Sequence, residues 1–127
     1  MIEILSAKKF QVKLKATIQA TGRLGFTEDT ANALHLDVRV PMKFARDDER
    51  DVLYLARLQE GDEDSFGVKK SGNYFYLDTR ALFDTLGIDY RNHSVIFDLA
   101  RATSLDELMG GEAYKLCKRE KQRNEKE

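Results

Sequence analysis

The chain has 127 residues, 42% hydrophobic and 34% charged, with 21 Lys and Arg against 22 Asp and Glu, one Pro, one Cys and no Trp. That is long enough for one core of ordinary size, with no apolar run near the roughly 20 residues that cross a bilayer and no basic-then-apolar leader at Met1-Ile2-Glu3-Ile4-Leu5, so a soluble cytoplasmic protein is expected. Cys117 has no partner for an internal disulfide, and with His35 and His93 it is too little for a zinc site, so neither metal nor cofactor is expected.

Polar and apolar residues alternate over 9–18 and again over 38–44, which predicts half-buried strands, with Pro41 placing the second at an edge or bulge. Between them Thr27 can cap a short helix over 28–34, with Glu28 and Asp29 in its first turn. Further strands are expected at 52–58, 66–70, 74–77 and 94–99, separated by acidic or Gly- and Asn-containing loops. Asp78 can cap a second helix over 79–86, with Leu77 and Leu82 as a hydrophobic staple and Gly87 ending it in a left-handed conformation. Both helices are about two turns long and must be held by packing on the strands. Beyond residue 104 the chain reads as a polar, partly disordered C-terminal tail (105–127), leaving 1–104 as a single domain.

The two halves repeat a pattern. Thr21-Gly22-Arg23-Leu24-Gly25-Phe26, a capped helix and Leu34-His35-Leu36-Asp37 match Ser71-Gly72-Asn73-Tyr74-Phe75-Tyr76, a capped helix and Leu86-Gly87-Ile88-Asp89, with two residues of slippage between copies. Repeat one covers about 9–58 and repeat two about 64–101. Gly22-Arg23-Leu24-Gly25-Phe26-Thr27 followed by Leu34-His35-Leu36 resembles the core of the AbrB-like swapped-hairpin family, which includes the SpoVT, MazE and MraZ groups. The hairpin around Asp47-Asp48-Glu49-Arg50-Asp51 is similar to that family's last hairpin, and Leu86-Gly87-Ile88 repeats its helix end. Thr27 and Leu77 stand where the family has Pro, and Asn73 stands where it has the turn Arg. The resemblance implies an α+β, mostly β fold: a swapped-hairpin barrel of two pseudo-symmetric β-α-β repeats, each with one short helix. It also implies a homo-oligomer that binds double-stranded DNA as a transcriptional regulator.

Charge is segregated along the chain. Residues 1–46 carry a net +4 and residues 47–64 a net −6, so a near-neutral total hides a basic first repeat. Lys9, Lys13 and Lys15 share one face of a period-two strand and, with Arg23, are candidate phosphate contacts. Lys69, Lys70 and Arg80 are their candidates in the second repeat. An ordinary solvated strand face is the alternative for all of them. The acidic runs at 47–51 and 60–64 read as solvated turns, since neither has the ligand spacing of a calcium loop. Three consecutive aromatics, Tyr74, Phe75 and Tyr76, must alternate faces if they lie on a strand. No nucleophile motif, phosphate-cradling loop or metal cluster marks an enzyme. A protein-interaction or assembly module on the same fold, antitoxin-like and with a partner held by the C-terminal tail, is the second functional reading.

Overall fold

Alternation along the chain becomes strands that curl about one core. The computed structural model describes residues 1–4 and 13–122. In order, the elements are β1 (Leu14–Ile18), β2 (Leu24–Phe26), α1 (Glu28–Ala33), β3 (Pro41–Asp47), β4 (Val52–Leu58), β5 (Phe66–Gly67), β6 (Lys69–Ser71), β7 (Tyr74–Leu77), α2 (Arg80–Thr85), β8 (His93–Arg101), α3 (Asp106–Met109) and β9 (Gly111–Gln122). A 3-10 turn, Thr103–Leu105, precedes α3.

The strands form one antiparallel sheet in the order β5-β3-β4-β9-β8-β1-β2-β7-β6. Its two ends are consecutive pieces of the same bent segment. Between them Val68 donates to the Val40 carbonyl at 3.0 Å and accepts from the Arg39 N–H at 2.8 Å. The sheet therefore returns almost to its own start, a nearly closed barrel that leaves little free edge. β1 pairs with β8 in the register Ala16↔Phe97, β5 with β3 in the register Met42↔Phe66, and β4 with β9 in the register Leu55↔Tyr114.

Period-two side chains fill the interior. Ala16, Ile18, Leu24, Phe26, Met42, Leu55, Leu77, Val95, Phe97 and Leu116 are buried together with Phe83 of α2 and Ala31 of α1. Phe44 and Phe97 meet Phe83 at centroid distances of 6.1 and 6.4 Å. Fully burying such a side chain contributes about 1.5–3 kcal/mol, which is what holds a six-residue helix that is unstable alone. A second, smaller cluster lies on the outside of the barrel, where Met109 covers Ala56, Leu58 and Ala113.

Several expectations need correction. The strand expected at 38–44 is Pro41–Asp47, because Asp37 accepts the Val38 N–H and Arg39 takes a φ of 74°, which turns residues 38–40 out of extended geometry. The expected strand over 66–70 is broken at Val68 into β5 and β6, the bend that closes the barrel. Thr27 caps α1 as expected, accepting the Thr30 N–H at 3.3 Å. Asp78 does not cap α2. Thr79 occupies that position without a side-chain cap, and Asp78 pairs with Lys69 instead.

The largest difference is at the C-terminus. Residues 111–122, expected in a polar tail, form a twelve-residue strand between β4 and β8. β4 pairs with residues 111–116 and β8 with residues 114–122, while Ala113, Tyr114 and Leu116 are buried, so the second half of the molecule runs past residue 101. A partner-binding tail has no free chain up to residue 122.

Candidate nucleic-acid interface

The outward face runs across β6, β7, β2, β1, β8 and β9. On β1, Ala16 and Ile18 point to the core, which leaves Lys15 and Thr17 outside, with exposed Lys13 just before the strand. On β7, Leu77 points inward and Phe75 packs against the core, which leaves Tyr74 and Tyr76 outside with their rings stacked at 6.4 Å and 20°.

Gly25 makes this arrangement possible. It faces Tyr76 across the β2–β7 pair, and a Cβ there would lie 1.2 Å from the Tyr74 hydroxyl. The ring of Tyr74 fills the space that a side chain would take, and its hydroxyl accepts a 2.9 Å hydrogen bond from Gln19 Nε2. Burial pushes the Tyr74 hydroxyl above its ordinary pKa. Arg23 then lies 4.5 Å over the Tyr76 ring, a cation–π contact worth about 0.5–1 kcal/mol at an exposed site.

The β1–β2 turn that carries Arg23 is fastened to the second half by Thr79. Its buried hydroxyl donates to the Gly22 carbonyl at 2.9 Å and accepts the Leu24 N–H at 3.1 Å. Gly22 has a φ of 90°, and a Cβ added there would meet Arg80 at 2.8 Å, so Arg80 starts against the turn itself. Lys69 sits opposite Tyr76 in the β6–β7 register. Arg23 and Lys69 therefore both adjoin Tyr76, and Arg80 starts beside the turn that carries Arg23, although the three are far apart in sequence.

Lys13 and Lys15 form a second cluster at the other end of β1. Lys15 pairs in register with Asp98, and Arg119 makes a bidentate contact with Asp98 at 2.7 and 3.0 Å. These residues line a cleft of about 430 Å³. Arg119 was hidden in the segment read as a tail, and only the placement of β9 reveals it. The repeat expected from the sequence carries a signal for it, because a second half without a counterpart to β4 would be incomplete.

Lys70 does not join either cluster. It lies over Phe75 at 5.3 Å, beside residues of α1 at the mouth of the barrel. Lys9 lies outside the described residues.

Carboxylates are interspersed on this face. Asp98 holds Arg119, Asp78 holds Lys69 at 3.4 Å, and Asp84 is 3.9 Å from Arg80. Asp84 also accepts from the Tyr90 hydroxyl, and that bond, followed by Arg91, holds its carboxyl below the ordinary range. Exposed ion pairs of this type contribute only about 0–1 kcal/mol, so a phosphate can compete for the cations.

Both histidines lie elsewhere. His93 contacts Asp89 at 3.2 Å, while His35 takes a φ of 53° and offers its carbonyl to Arg57. Cys117 is half-buried on β9. The acidic runs are turn caps, with Asp47 accepting the N–H groups of Glu49 and Arg50, and Asp62 accepting that of Asp64. Among the described residues no three His, Cys, Asp or Glu side chains converge to hold a metal, and no helix is long and apolar enough to cross a membrane. In comparisons with protein-family models, curated proteins and solved structures, nothing matches the chain.

Proposed function

We propose that the protein is a tandem AbrB-like swapped-hairpin barrel that binds double-stranded DNA as a regulator, through phosphate contacts on the outer face of β1, β2, β6, β7 and β9. The observation that carries the binding site is the grouping of Arg23 and Lys69 at Tyr76, with Arg80 beside the turn that holds Arg23 and with Lys13, Lys15 and Arg119 grouped at the far end of β1 and on β9. Cations spread over several strands suit a curved polyanion better than a small ligand.

The family reading has its own support. The opening strand of each half, β1 or β5, pairs with the post-helix strand of the other half, β8 or β3. Gly22 and Gly72 take positive φ at equivalent turns, and His35 and Gly87 do so at equivalent helix ends. A homo-oligomer in the cytoplasm is part of the same proposal.

Fluorescence anisotropy of a labelled mixed-sequence duplex at low salt tests the reading. Binding at micromolar protein that weakens as salt rises is expected, and no binding at that concentration rejects it.

The second reading is a non-enzymatic interaction module. What favours it is Leu108, 81% exposed on α3, beside a groove that also has Tyr54, Leu105 and Met109 below an acidic rim. It predicts a protein partner captured without salt-dependent DNA affinity, and loss of that partner in Leu108→Glu.

A further inference from the structure

The two helices end in the same way. Leu34 and Leu86 are the C-caps, His35 and Gly87 follow with φ of 53° and 72°, and the turns close by Leu36 N–H to Ala31 O at 2.9 Å and Ile88 N–H to Phe83 O at 3.1 Å. What lies beyond each end differs.

At α1 the space is filled by Arg57 of β4. Its Nε donates to the Leu34 carbonyl at 2.9 Å, and its two terminal nitrogens donate to Leu58 and His35 carbonyls at 3.2 Å each. A planar guanidinium on an aliphatic stem is the group that this chain itself places against such a helix end.

At α2 the equivalent space is open. A cavity of about 270 Å³ borders Leu86, Gly87 and Ile88, with Leu53, Phe97 and Leu116 as its apolar floor. Lys118 stands two residues after Leu116, as Arg57 stands two after Leu55, but its ammonium pairs with Glu120 at 3.3 Å. Three carboxylates, Asp51, Asp89 and Glu120, stand on the rim against the two cations Arg46 and Lys118. Ligand cavities run from about 300 Å³ upward, so this one takes a fragment-sized group.

We propose that the cavity at the end of α2 binds a guanidinium group on a short apolar stem, taking the place that Arg57 takes at α1. The fork donates to carbonyls at the helix end, the rim carboxylates balance the charge, and the stem covers Leu53, Phe97 and Leu116. The source is either a free alkylguanidine or an arginine side chain of a partner.

Amide NMR titration with n-butylguanidinium, n-pentanoate and two short peptides, one carrying Arg and the other norleucine at the same position, tests this. Saturable shifts at Leu86, Gly87 and Ile88 are expected with n-butylguanidinium, with a dissociation constant on the order of 1 mM, and none with pentanoate. Tighter binding of the Arg peptide assigns the site to a partner's arginine; binding of n-butylguanidinium alone assigns it to a small molecule. Lys118→Arg supplies the chain's own guanidinium and should weaken binding about tenfold, and Glu120→Gln by a few-fold. Absence of shifts at these amides, equal binding of pentanoate, or an unchanged titration in Lys118→Arg overturns the proposal.

Discussion

The outside of the barrel has two contrasting faces. Over β3, β4 and β9 the connection from β8 folds back as a 3-10 turn and α3, so that Met109 covers Ala56, Leu58 and Ala113. Arg101 holds this cover in place by gripping Asp106 with both terminal nitrogens at 2.6 Å, while Asp106 also accepts the Ala113 N–H at 2.8 Å. Among the described residues nothing comparable lies on the sheet over β1, β2 and β7, and that face carries Arg23, Lys15, Tyr74 and Tyr76. The contrast separates two uses of the same pleated surface. One face is apolar and contributes to stability, whereas the other carries cations on its solvent side, several of them in exposed ion pairs.

Substitutions at matched positions should break this contrast unequally. Met109→Ala removes the apolar plug of the covered face and should cost about 2 kcal/mol in urea unfolding. A loss below about 0.5 kcal/mol would mean that α3 merely rests on the sheet. Gly25→Ala, on the open face, forces the Tyr74 hydroxyl out of its place and should cost about 1–2 kcal/mol while weakening DNA binding. Unchanged stability and affinity would show that Tyr74 does not organise the cluster.

The clasp on the covered face has a pH signature. Arg101, and after it the Ala113 N–H, hold the Asp106 carboxyl down to about 2. A lowered folded-state value means that the ionised carboxylate stabilises the fold, so its contribution is complete above the ordinary value of 3.8 and disappears as pH falls toward 2. Asp106→Asn should therefore lower the melting temperature at neutral pH, and the difference from the parent should close between about pH 4 and 2. A difference independent of pH would contradict this. Smallest in stability is Arg23→Ala, expected within about 0.5 kcal/mol of the parent because Arg23 is exposed.

The elements legible in the sequence are those whose pattern agrees with their packing. Val52–Leu58 and Tyr74–Leu77 coincide with their expected bounds because apolar side chains mark the faces that pack. Thr27 and Gly87 could be read because caps and left-handed helix ends are local chemistry. β9 hid itself because Lys118 and Glu120 occupy core-side positions at the open mouth of the barrel, where charge is tolerated. Thr79 displaced Asp78 at the helix start because its hydroxyl serves the Gly22 turn, 57 residues earlier in the chain. Separation in sequence likewise hid the proximity of Lys69 and Arg80 to the turn of Arg23, and the pairing of Asp98 with Arg119 depended on β9.

The salt dependence of duplex DNA affinity, measured for the parent and for the Arg23→Ala/Lys69→Ala/Arg80→Ala variant, tests the open face most directly. Each phosphate contact contributes about 0.9 to the slope of log affinity against log salt. The parent should bind with a slope that the triple variant reduces by about 2 to 3, with an unchanged fold by circular dichroism. Equal slopes for the two proteins, or no parent binding at low salt, would contradict the assignment of this face to DNA.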